Sequence, residues 1–229
     1  CPPPMHLFID EVHGYKSNKN MVNALLTALE GDRVLNVKDV GEINCVHIQW
    51  TIATTHRGAL FGPLDTRFAK LQLELYSKDE IAQIVRVHNS RLPNIACELA
   101  AKYGGIFPRE VLQFAKTMKR QKDVHGGDWQ DAALRAARLH RVDEWGLHET
   151  LVKILGVVGE FGCVSEKRLP QLVHMTKEEL EQYQYPYLLR STPDRPPLMI
   201  MTHRGYMLTS AGGEELAKRH IDHKQEYAA

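Results

Sequence analysis

The stretch "LFIDEVH", residues 7–13, ends an apolar run on two adjacent carboxylates, Asp10 and Glu11. Residues 5–9 are too few and too apolar for a surface helix, so they predict a short buried strand. Open α/β sheets bind their ligands at the carboxyl ends of the strands. The position of the two carboxylates therefore predicts a ligand site, and an ordinary acidic turn after a strand is the alternative.

The segments after this strand predict the rest of an α/β sheet. Ser17 is placed to cap a helix that runs to about Leu29. Residues 33–48 are rich in β-branched side chains and predict a hairpin. "WTIATT", residues 50–55, predicts a second buried strand, and "KLQLELY", residues 70–76, alternates as a half-exposed strand would. This order predicts a parallel sheet whose beginning is missing from the chain.

The second half of the chain predicts helices followed by a β hairpin. Ser77 and Glu80 form a capping-box sequence that opens a helix, and residues 81–142 are helical in pattern. A further apolar helix is predicted over residues 147–158, and two short helices follow it. "PLMIMTHRGYMLT" then predicts two strands joined at residues 203–205. Helices followed by a hairpin in this order are typical of a winged-helix domain.

The composition allows a sizeable core and shows an uneven distribution of charge. The chain has 229 residues, of which 43% are hydrophobic, and a formal net charge of +1. Residues 86–142 carry 11 lysines and arginines against 5 aspartates and glutamates, whereas the segments on either side are mildly acidic. This basic block is either a solvated helical face or a phosphate-facing surface.

Cysteine usage and hydropathy indicate a cytoplasmic protein. The four cysteines are widely spaced with no C-x-x-C pair, so neither a disulfide framework nor a zinc site is expected. No stretch approaches 18 apolar residues and no secretory signal is visible, so no membrane contact is predicted. The chain begins with Cys1 rather than Met, directly before a core strand, and we expect it to be a fragment of a longer protein.

Four sequence features carry candidate chemistry, although each also has an ordinary structural explanation. A strand ending in Asp-Glu is the Walker B arrangement of P-loop ATPases, in which Asp10 would hold Mg²⁺ and Glu11 would polarise the attacking water. Thr55 ends the neighbouring predicted strand, where its hydroxyl could position that water. Arg67 follows a Gly-Pro turn and could reach the phosphate of a neighbouring subunit. Arg109 lies in the first turn of a helix, where a cation is unfavourable unless a phosphate or a carboxylate binds it.

Taken in order, these motifs resemble the RuvB family of AAA+ ATPases, which drive Holliday-junction branch migration, and the resemblance covers essentially the whole chain. "LFIDEVH" resembles the family's Walker B, "ATTHRG" its sensor 1, "PLDTRF" its arginine-finger loop and "FPREVLQFAK" its sensor 2. "ALEGD" and "LELY" resemble two stretches that contact the nucleotide. The resemblance implies ATP and Mg²⁺ as cofactors and assigns these residues to the nucleotide site: Asp10, Glu11, Glu30, Gly31, Asp32, Thr55, Arg67, Tyr76 and Arg109.

The C-terminal part resembles the family's winged helix, with a departure in the wing. "VDEWGLHETLVKIL" and "YQYPYLLR" carry the resemblance, which implies DNA contacts from Arg190, His203 and Arg204. The family's R-T-P-R-G-R reads M-T-H-R-G-Y at residues 201–206, so two of its three arginines are replaced. Two interpretations stay open: the hairpin still binds DNA weakly, or Tyr206 packs into the domain core and the hairpin faces no DNA.

Two further departures concern the first part of the chain. No Walker A sequence, G-x-x-x-x-G-K-[ST], occurs in the chain; in the family that loop precedes Walker B, and here its place would lie ahead of Cys1. The family usually has an arginine where Asp65 stands, so Arg67 alone would take the finger role. The hairpin at residues 33–48 stands where the family docks on its junction-binding partner RuvA.

The sequence therefore predicts the second half of an α/β AAA+ sheet with a hairpin (residues 1–77), an all-α lid with sensor 2 (78–142) and a winged-helix DNA-binding domain (143–229). The function that the resemblance implies is an ATP-hydrolysing DNA helicase or translocase for recombination and repair. It would act on four-way junctions or duplex DNA as a homo-hexamer, with a RuvA-like partner at the hairpin. Two alternatives remain: a RuvB-derived DNA-binding or scaffold module that never hydrolyses ATP, and a clamp-loader-like or initiator AAA+ protein.

Overall fold

A computed structural model of the chain describes residues 5–15, 18–30, 33–37, 39–54, 62–71 and 73–226. The chain divides into two compact units, Cys1–Gln72 and Leu73–Ala229. Within the described ranges, no helix is both long enough and apolar enough to cross a membrane. The cysteines in those ranges, Cys45, Cys97 and Cys163, are free thiols.

The first unit contains a short parallel sheet, a hairpin and two helices. Its elements are β1 (Met5–Ile9), a 3-10 turn (Val12–Tyr15), α1 (Lys19–Leu29), β2 (Val34–Val37), β3 (Gly41–Asn44), β4 (Ile48–Ile52) and α2 (Gly62–Asp65). β1 and β4 run parallel, with Met5 opposite Ile48 and Ile9 opposite Ile52. α1 and the antiparallel β2–β3 hairpin form the crossover that two parallel strands require. The strands predicted at residues 5–9 and 50–55 and the predicted hairpin are therefore present.

The apolar side chains of β1 are more exposed than the sequence predicts. Met5 is 62% exposed and Phe8 57% exposed. The core of this unit is small and is centred on Val12, Leu25 and Leu64. Parallel sheets are normally covered on both faces, and two strands alone make a marginal sheet. The prediction of a strand at residues 5–9 is confirmed. The prediction that this strand is buried is wrong within this unit. β1 instead exposes apolar side chains that a larger sheet would cover.

Two local predictions in this part of the chain need correction. α1 is capped by Asn18, whose side-chain oxygen accepts the backbone N–H three residues further on at 3.1 Å, while Ser17 lies outside the described residues. Residues 73–76 form no strand, although leucines alternate in this stretch. Leu71 and Leu73 are 86% and 80% exposed, so the alternation has no core to face.

The second unit holds two hydrophobic cores. The first is formed by α3 (Lys78–His88), α4 (Asn94–Tyr103), α5 (Pro108–His125) and α6 (Trp129–Leu139). α3 begins with the predicted capping box between Ser77 and Glu80. Small side chains let α4 and α6 approach closely, and the buried alanines on these helices are Ala96, Ala100, Ala101, Ala132, Ala133, Ala136 and Ala137. The prediction of a helical region over residues 81–142 is confirmed.

The second core lies between further helices and a β hairpin. Its elements are α7 (Glu149–Phe161), α8 (Leu169–Val173), α9 (Lys177–Glu179), a π-helical turn (Leu180–Gln184), α10 (Tyr185–Leu189), β5 (Met199–Thr202), β6 (Gly205–Leu208) and α11 (Ser210–Glu226). β5 and β6 pair antiparallel and turn at residues 203–204, where the sequence predicts the join. The sequence patterns do not predict α11.

Asp143 and Arg219 fix the segment that joins the two cores. Asp143 Oδ1 accepts the N–H groups of Trp145 at 3.0 Å and Leu147 at 2.9 Å, and its Oδ2 accepts Arg219 Nε at 2.7 Å. Arg219 is only 5% exposed; it also donates to Glu215 Oε2 at 3.0 Å and lies 5.2 Å from the centre of the Trp145 ring. A buried guanidinium needs such partners, so this network ties α11 to the junction between the cores.

Candidate functional site

Asp10 and Glu11 directly follow β1, at the edge where the carboxyl ends of β1 and β4 lie side by side, as the sequence predicts. Pairing continues past the strands, because Ala53 N–H donates to Ile9 O at 2.9 Å and Val12 N–H donates to Ala53 O at 3.0 Å. Both acidic residues are exposed in this turn, and Asp10 Oδ1 accepts the Glu11 N–H at 2.9 Å. Glu11 has a φ of 48°, a left-handed conformation that is uncommon outside glycine and that clusters at functional sites.

His13 and Thr54 lie at the same edge as the carboxylates. His13 Nδ1 is 3.0 Å from Glu11 Oε2 and 3.0 Å from Thr54 Oγ1. Thr54 follows β4 and so brings a hydroxyl beside the end of β1. Thr55, the predicted sensor 1 residue, lies outside the described residues. The Glu11 carboxylate thus stands within hydrogen-bonding distance of the His13 imidazole.

Glu30 and Arg67, two predicted site residues, form an ion pair within the first unit. Arg67 Nη2 contacts Glu30 Oε1, and Arg67 Nη1 donates to the carbonyl oxygen of Pro63. Glu30 caps the C-terminus of α1, and Arg67 follows α2. Gly31 and Asp32, the other members of the predicted nucleotide-contacting stretch, lie outside the described residues. In this chain the Glu30 carboxylate therefore neutralises the predicted finger arginine.

The donor atoms at this edge suit a magnesium–nucleotide complex. The described ranges contain no cluster of three or more His, Cys, Asp or Glu that could hold a metal ion. The edge offers instead the carboxylates of Asp10 and Glu11 and the hydroxyl of Thr54. Mg²⁺ prefers oxygen ligands, keeps several waters and is commonly held by one or two carboxylates together with the phosphates of the substrate. The side chains present fit that mode of binding.

Tyr76 and Arg109 belong to the second unit. Tyr76 comes directly before the capped start of α3 and is 46% exposed. Arg109 is the second residue of α5 and is exposed, and no described carboxylate forms an ion pair with it. A salt bridge, the simple explanation for a cation in the first turn of a helix, is thus not seen among the described residues. Arg109 is therefore available to an anionic ligand.

The residues predicted to bind DNA are all on the surface. Arg190 follows α10, and His203 and Arg204 form the turn between β5 and β6. Tyr206 is only 2% exposed, and its ring packs against that of a neighbouring tyrosine with centroids 5.0 Å apart. Met201, by contrast, is 58% exposed. Tyr206 therefore belongs to the core, and only one of the two replaced arginine positions faces solvent.

Three residues near these sites were missed by reasoning from the sequence. His13 could have been found, because it stands two residues after Glu11 in the quoted motif. The hydroxyl of Tyr187 contacts the first turn of α5, and Asp194 Oδ2 accepts a backbone N–H from the first turn of α3 at 2.6 Å. These partners are 77 and 116 residues apart in the chain, and no local pattern marks contacts of that range.

Comparison with known proteins gives one family name. No family model matches the chain. The chain is 29% identical over 219 residues to the Holliday junction branch migration complex subunit RuvB of Thermosipho melanesiensis, an alignment that covers 89% of this chain and 68% of the relative. It is 30% identical over 201 residues to the RuvB subunit of Lactobacillus gasseri, covering 80% of this chain and 58% of the relative. The chain thus spans 58 to 68% of the length of these curated relatives.

A solved structure shares the fold. The structure of Thermotoga maritima RuvB, described as a Holliday junction branch migration motor, matches with a TM-score of 0.74 at 26% identity and covers 95% of this chain and 71% of that one. Both chains combine a mixed α/β core with helices. Since the likeness in sequence and the likeness in fold extend over most of the chain and agree on the same relatives, the resemblance to RuvB predicted from the sequence is confirmed.

Proposed function

We propose that this chain is part of a subunit of a ring-shaped, ATP-driven DNA motor that moves Holliday junctions during recombination and repair in the cytoplasm. The observation that carries the proposal is the edge formed by β1 and β4, where Asp10, Glu11 and Thr54 stand together. Relatives that are 29% and 30% identical to this chain are named as subunits of a branch migration complex. A mixed α/β core with acidic residues at this edge is suited to nucleotide chemistry.

Glu11 is the proposed group that activates water. Hydrolysis of ATP needs a water molecule positioned in line with the γ-phosphate and a base that polarises it. His13, with Nδ1 at 3.0 Å from Glu11 Oε2, would fix the direction of that carboxylate, and Thr54 or Thr55 would orient the water. Asp10 would hold Mg²⁺, which neutralises phosphate charge when bound. A phosphate-binding loop in the complete protein is part of the proposal.

Arg67 is the proposed finger that acts on the ATP of a neighbouring subunit, which makes a homo-hexameric ring part of the proposal. Its side chain is 26% exposed and its partner Glu30 is 54% exposed. A solvent-exposed ion pair of this kind contributes at most about 1 kcal/mol, so the triphosphate of a neighbour could displace Glu30. Glu30, released in this way, would then be free to contact the nucleotide together with Gly31 and Asp32.

The remaining parts of the chain have proposed roles around this motor. Helices α3 to α6, within residues 78–142, would form the lid that presents Arg109 and Tyr76 to the nucleotide. The exposure of Arg109, and the absence of an ion pair to it from any described carboxylate, support this role. Residues 143–229 would form a winged-helix domain that contacts junction or duplex DNA through Arg190, His203 and Arg204. The first 77 residues would complete an AAA+ sheet, and the β2–β3 hairpin would meet a RuvA-like partner.

The test is ATP hydrolysis by the full-length protein carrying Glu11→Gln. Loss of a general base lowers turnover by about 10²- to 10⁴-fold, and nucleotide binding should be retained because the metal and phosphate contacts remain. Glu160→Gln, which changes an exposed glutamate at the end of α7, is the matched control and should hydrolyse ATP at the parental rate.

Parental turnover by the Glu11→Gln variant would refute the assignment of this edge. If the unmodified full-length protein bound DNA but hydrolysed no ATP, the chain would instead belong to a non-hydrolysing DNA-binding or scaffold module.

A further inference from the structure

Two helices that carry the proposed nucleotide-contacting residues begin against one short segment of the C-terminal half. α5 begins one residue before Arg109, and α3 begins two residues after Tyr76. Both starts contact residues 187–195, which comprise the end of α10 and the turn that follows it. All of these residues belong to the second unit, so the contacts lie within one compact body.

Tyr187 joins the loop before α5 to the first turn of that helix. The cap position of α5 is Phe107, which makes no side-chain cap. The Tyr187 hydroxyl accepts the N–H of Ile106, the residue before the cap, at 3.2 Å and donates to the carboxylate of Glu110 in the first turn. Its ring meets that of Phe107 edge-on, with centroids 5.4 Å apart at 84°.

The space around this hydroxyl is closely filled. Gly105 has a φ of +98°, and a Cβ added there would lie 2.1 Å from the Tyr187 oxygen, so a side chain at this position would displace the tyrosine. Burial raises the pKa of Tyr187, and the neighbouring Glu110 carboxylate raises it further. The hydroxyl therefore keeps its proton and remains the donor to Glu110. Loop 104–107 thus has one defined position against α10.

Asp194 holds the start of α3 in a similar way. Its Oδ2 accepts the N–H of Lys78, the first residue of α3, at 2.6 Å, where the helix dipole also favours a carboxylate. Arg195 Nη2 donates to the Tyr187 carbonyl oxygen at 2.6 Å, and Thr192 and Arg195 exchange backbone hydrogen bonds of 2.9 and 3.2 Å. The turn that carries Asp194 is thereby fastened to the helix that carries Tyr187.

We propose that Tyr187 and Asp194 are positioning residues of the nucleotide site, through which the C-terminal, DNA-binding part of the chain sets the places of Arg109 and Tyr76. The inference rests on the proposed function, because it requires that Arg109 and Tyr76 contact nucleotide. A displacement of α10 would move both helix starts together. If DNA binding displaces α10, nucleotide affinity and DNA affinity are coupled, and each ligand then changes the affinity for the other by the same factor.

The test is a double-mutant cycle between Tyr187→Phe and Arg109→Ala in the full-length protein, read as affinity for a fluorescent ATP analogue. Tyr187→Phe removes the hydroxyl and keeps the ring, and nucleotide should bind about threefold to tenfold more weakly, the usual effect of one lost hydrogen bond. In the Arg109→Ala background the same change should have almost no further effect, because the tyrosine acts through that arginine. Hydrogen exchange at residues 104–107 should rise in Tyr187→Phe, which reports the loosened loop independently of nucleotide.

Matched variants separate positioning from general loss of structure. Tyr185→Phe removes a buried hydroxyl from the same helix, and it should leave nucleotide affinity unchanged. Asp194→Ala should weaken nucleotide binding, whereas Asp194→Asn keeps an acceptor oxygen for Lys78 N–H and should restore most of the affinity.

The outcomes distinguish the two proposals. If Arg109→Ala weakens nucleotide binding but Tyr187→Phe does not, or if the two losses simply add, the positioning role is overturned and the proposed function stands. If Arg109→Ala itself leaves nucleotide affinity unchanged, the proposed function fails at sensor 2, and the positioning role fails with it.

Discussion

Arg219→Met tests whether the buried network at the junction of the two cores stabilises the second unit. Methionine keeps an unbranched apolar side chain and removes the guanidinium. The variant loses the Nε bond to Asp143 at 2.7 Å and the Nη1 bond to Glu215 at 3.0 Å. It also loses the contact between the guanidinium and the Trp145 ring, whose centre is 5.2 Å away.

We expect Arg219→Met to lower the free energy of unfolding by about 2 kcal/mol, somewhat less than the loss of a fully buried ion-pair partner, which costs about 3–5 kcal/mol. The Arg219 side chain is 6% exposed, but those of Asp143 and Glu215 are 24% and 23% exposed, so water can solvate the carboxylates that remain. Nη2 of Arg219 is buried without a hydrogen-bond partner in the described residues, and removing it recovers about 1 kcal/mol of desolvation cost.

The assay is urea denaturation of the 229-residue chain followed by tryptophan fluorescence, since Trp145 lies in the network. Lys218→Met is the matched control, because Lys218 Nζ bonds the same Glu215 at 2.7 Å but its side chain is 51% exposed. An exposed pair of this kind should change stability by about 0.5 kcal/mol or less. Equal effects of the two variants would refute the reasoning from burial.

Three further predictions concern charge and the hairpin. Burial alone would raise the pKa of Glu215, but hydrogen bonds from the neighbouring lysine and arginine outweigh it and lower the pKa below its ordinary value of 4.5. The Glu215 carboxylate therefore adds stability above pH 4.5, and this stability is lost as the pH falls through the lowered folded-state pKa. If Glu215→Gln and the parent show the same dependence of stability on pH, this contribution from Glu215 is refuted. In fluorescence anisotropy with duplex DNA, Arg204→Ala should weaken binding and Met201→Arg should strengthen it. The slope of log affinity against log salt concentration should change by about one, in opposite directions for the two variants. If neither variant has an effect, the β5–β6 hairpin is not part of the DNA interface. Tyr206→Arg should instead destabilise the chain by about 3 kcal/mol in urea, and a stability equal to that of the parent would mean that Tyr206 is not a core residue.

The features that could be predicted from the sequence are those encoded by local patterns. The apolar run before Asp10 and Glu11 predicts the strand. Because the two acidic residues follow that run in the sequence, they must lie at the carboxyl end of the strand. The capping box of Ser77 and Glu80 marks the start of α3, since its two hydrogen bonds join residues three apart. Each of these signals depends on neighbours in the chain and needs no knowledge of the tertiary fold.

The features that could not be predicted depend on contacts in the tertiary fold, which local sequence patterns do not reveal. The alternating leucines 71 and 73 have the pattern of a strand, but no described strand pairs with them and both are exposed. The aromatic residue Tyr206 stands where the family has an arginine, and only packing against Tyr185 decides that it turns inward. Tyr187 is an ordinary tyrosine in the sequence, and its role appears only with Gly105 and Glu110 beside it.

The most direct test of the central claim is ATP hydrolysis by mixtures of two inactive full-length variants, Arg67→Ala and Glu11→Gln. A ring that couples the base of one subunit to the arginine of the next contains, when mixed, some interfaces with both groups intact. We predict that mixtures hydrolyse ATP faster than either variant alone, with a maximum at an intermediate ratio. Activity that never exceeds the weighted average of the two variants, at any ratio, would contradict an arginine that acts between subunits and, with it, the ring-shaped motor.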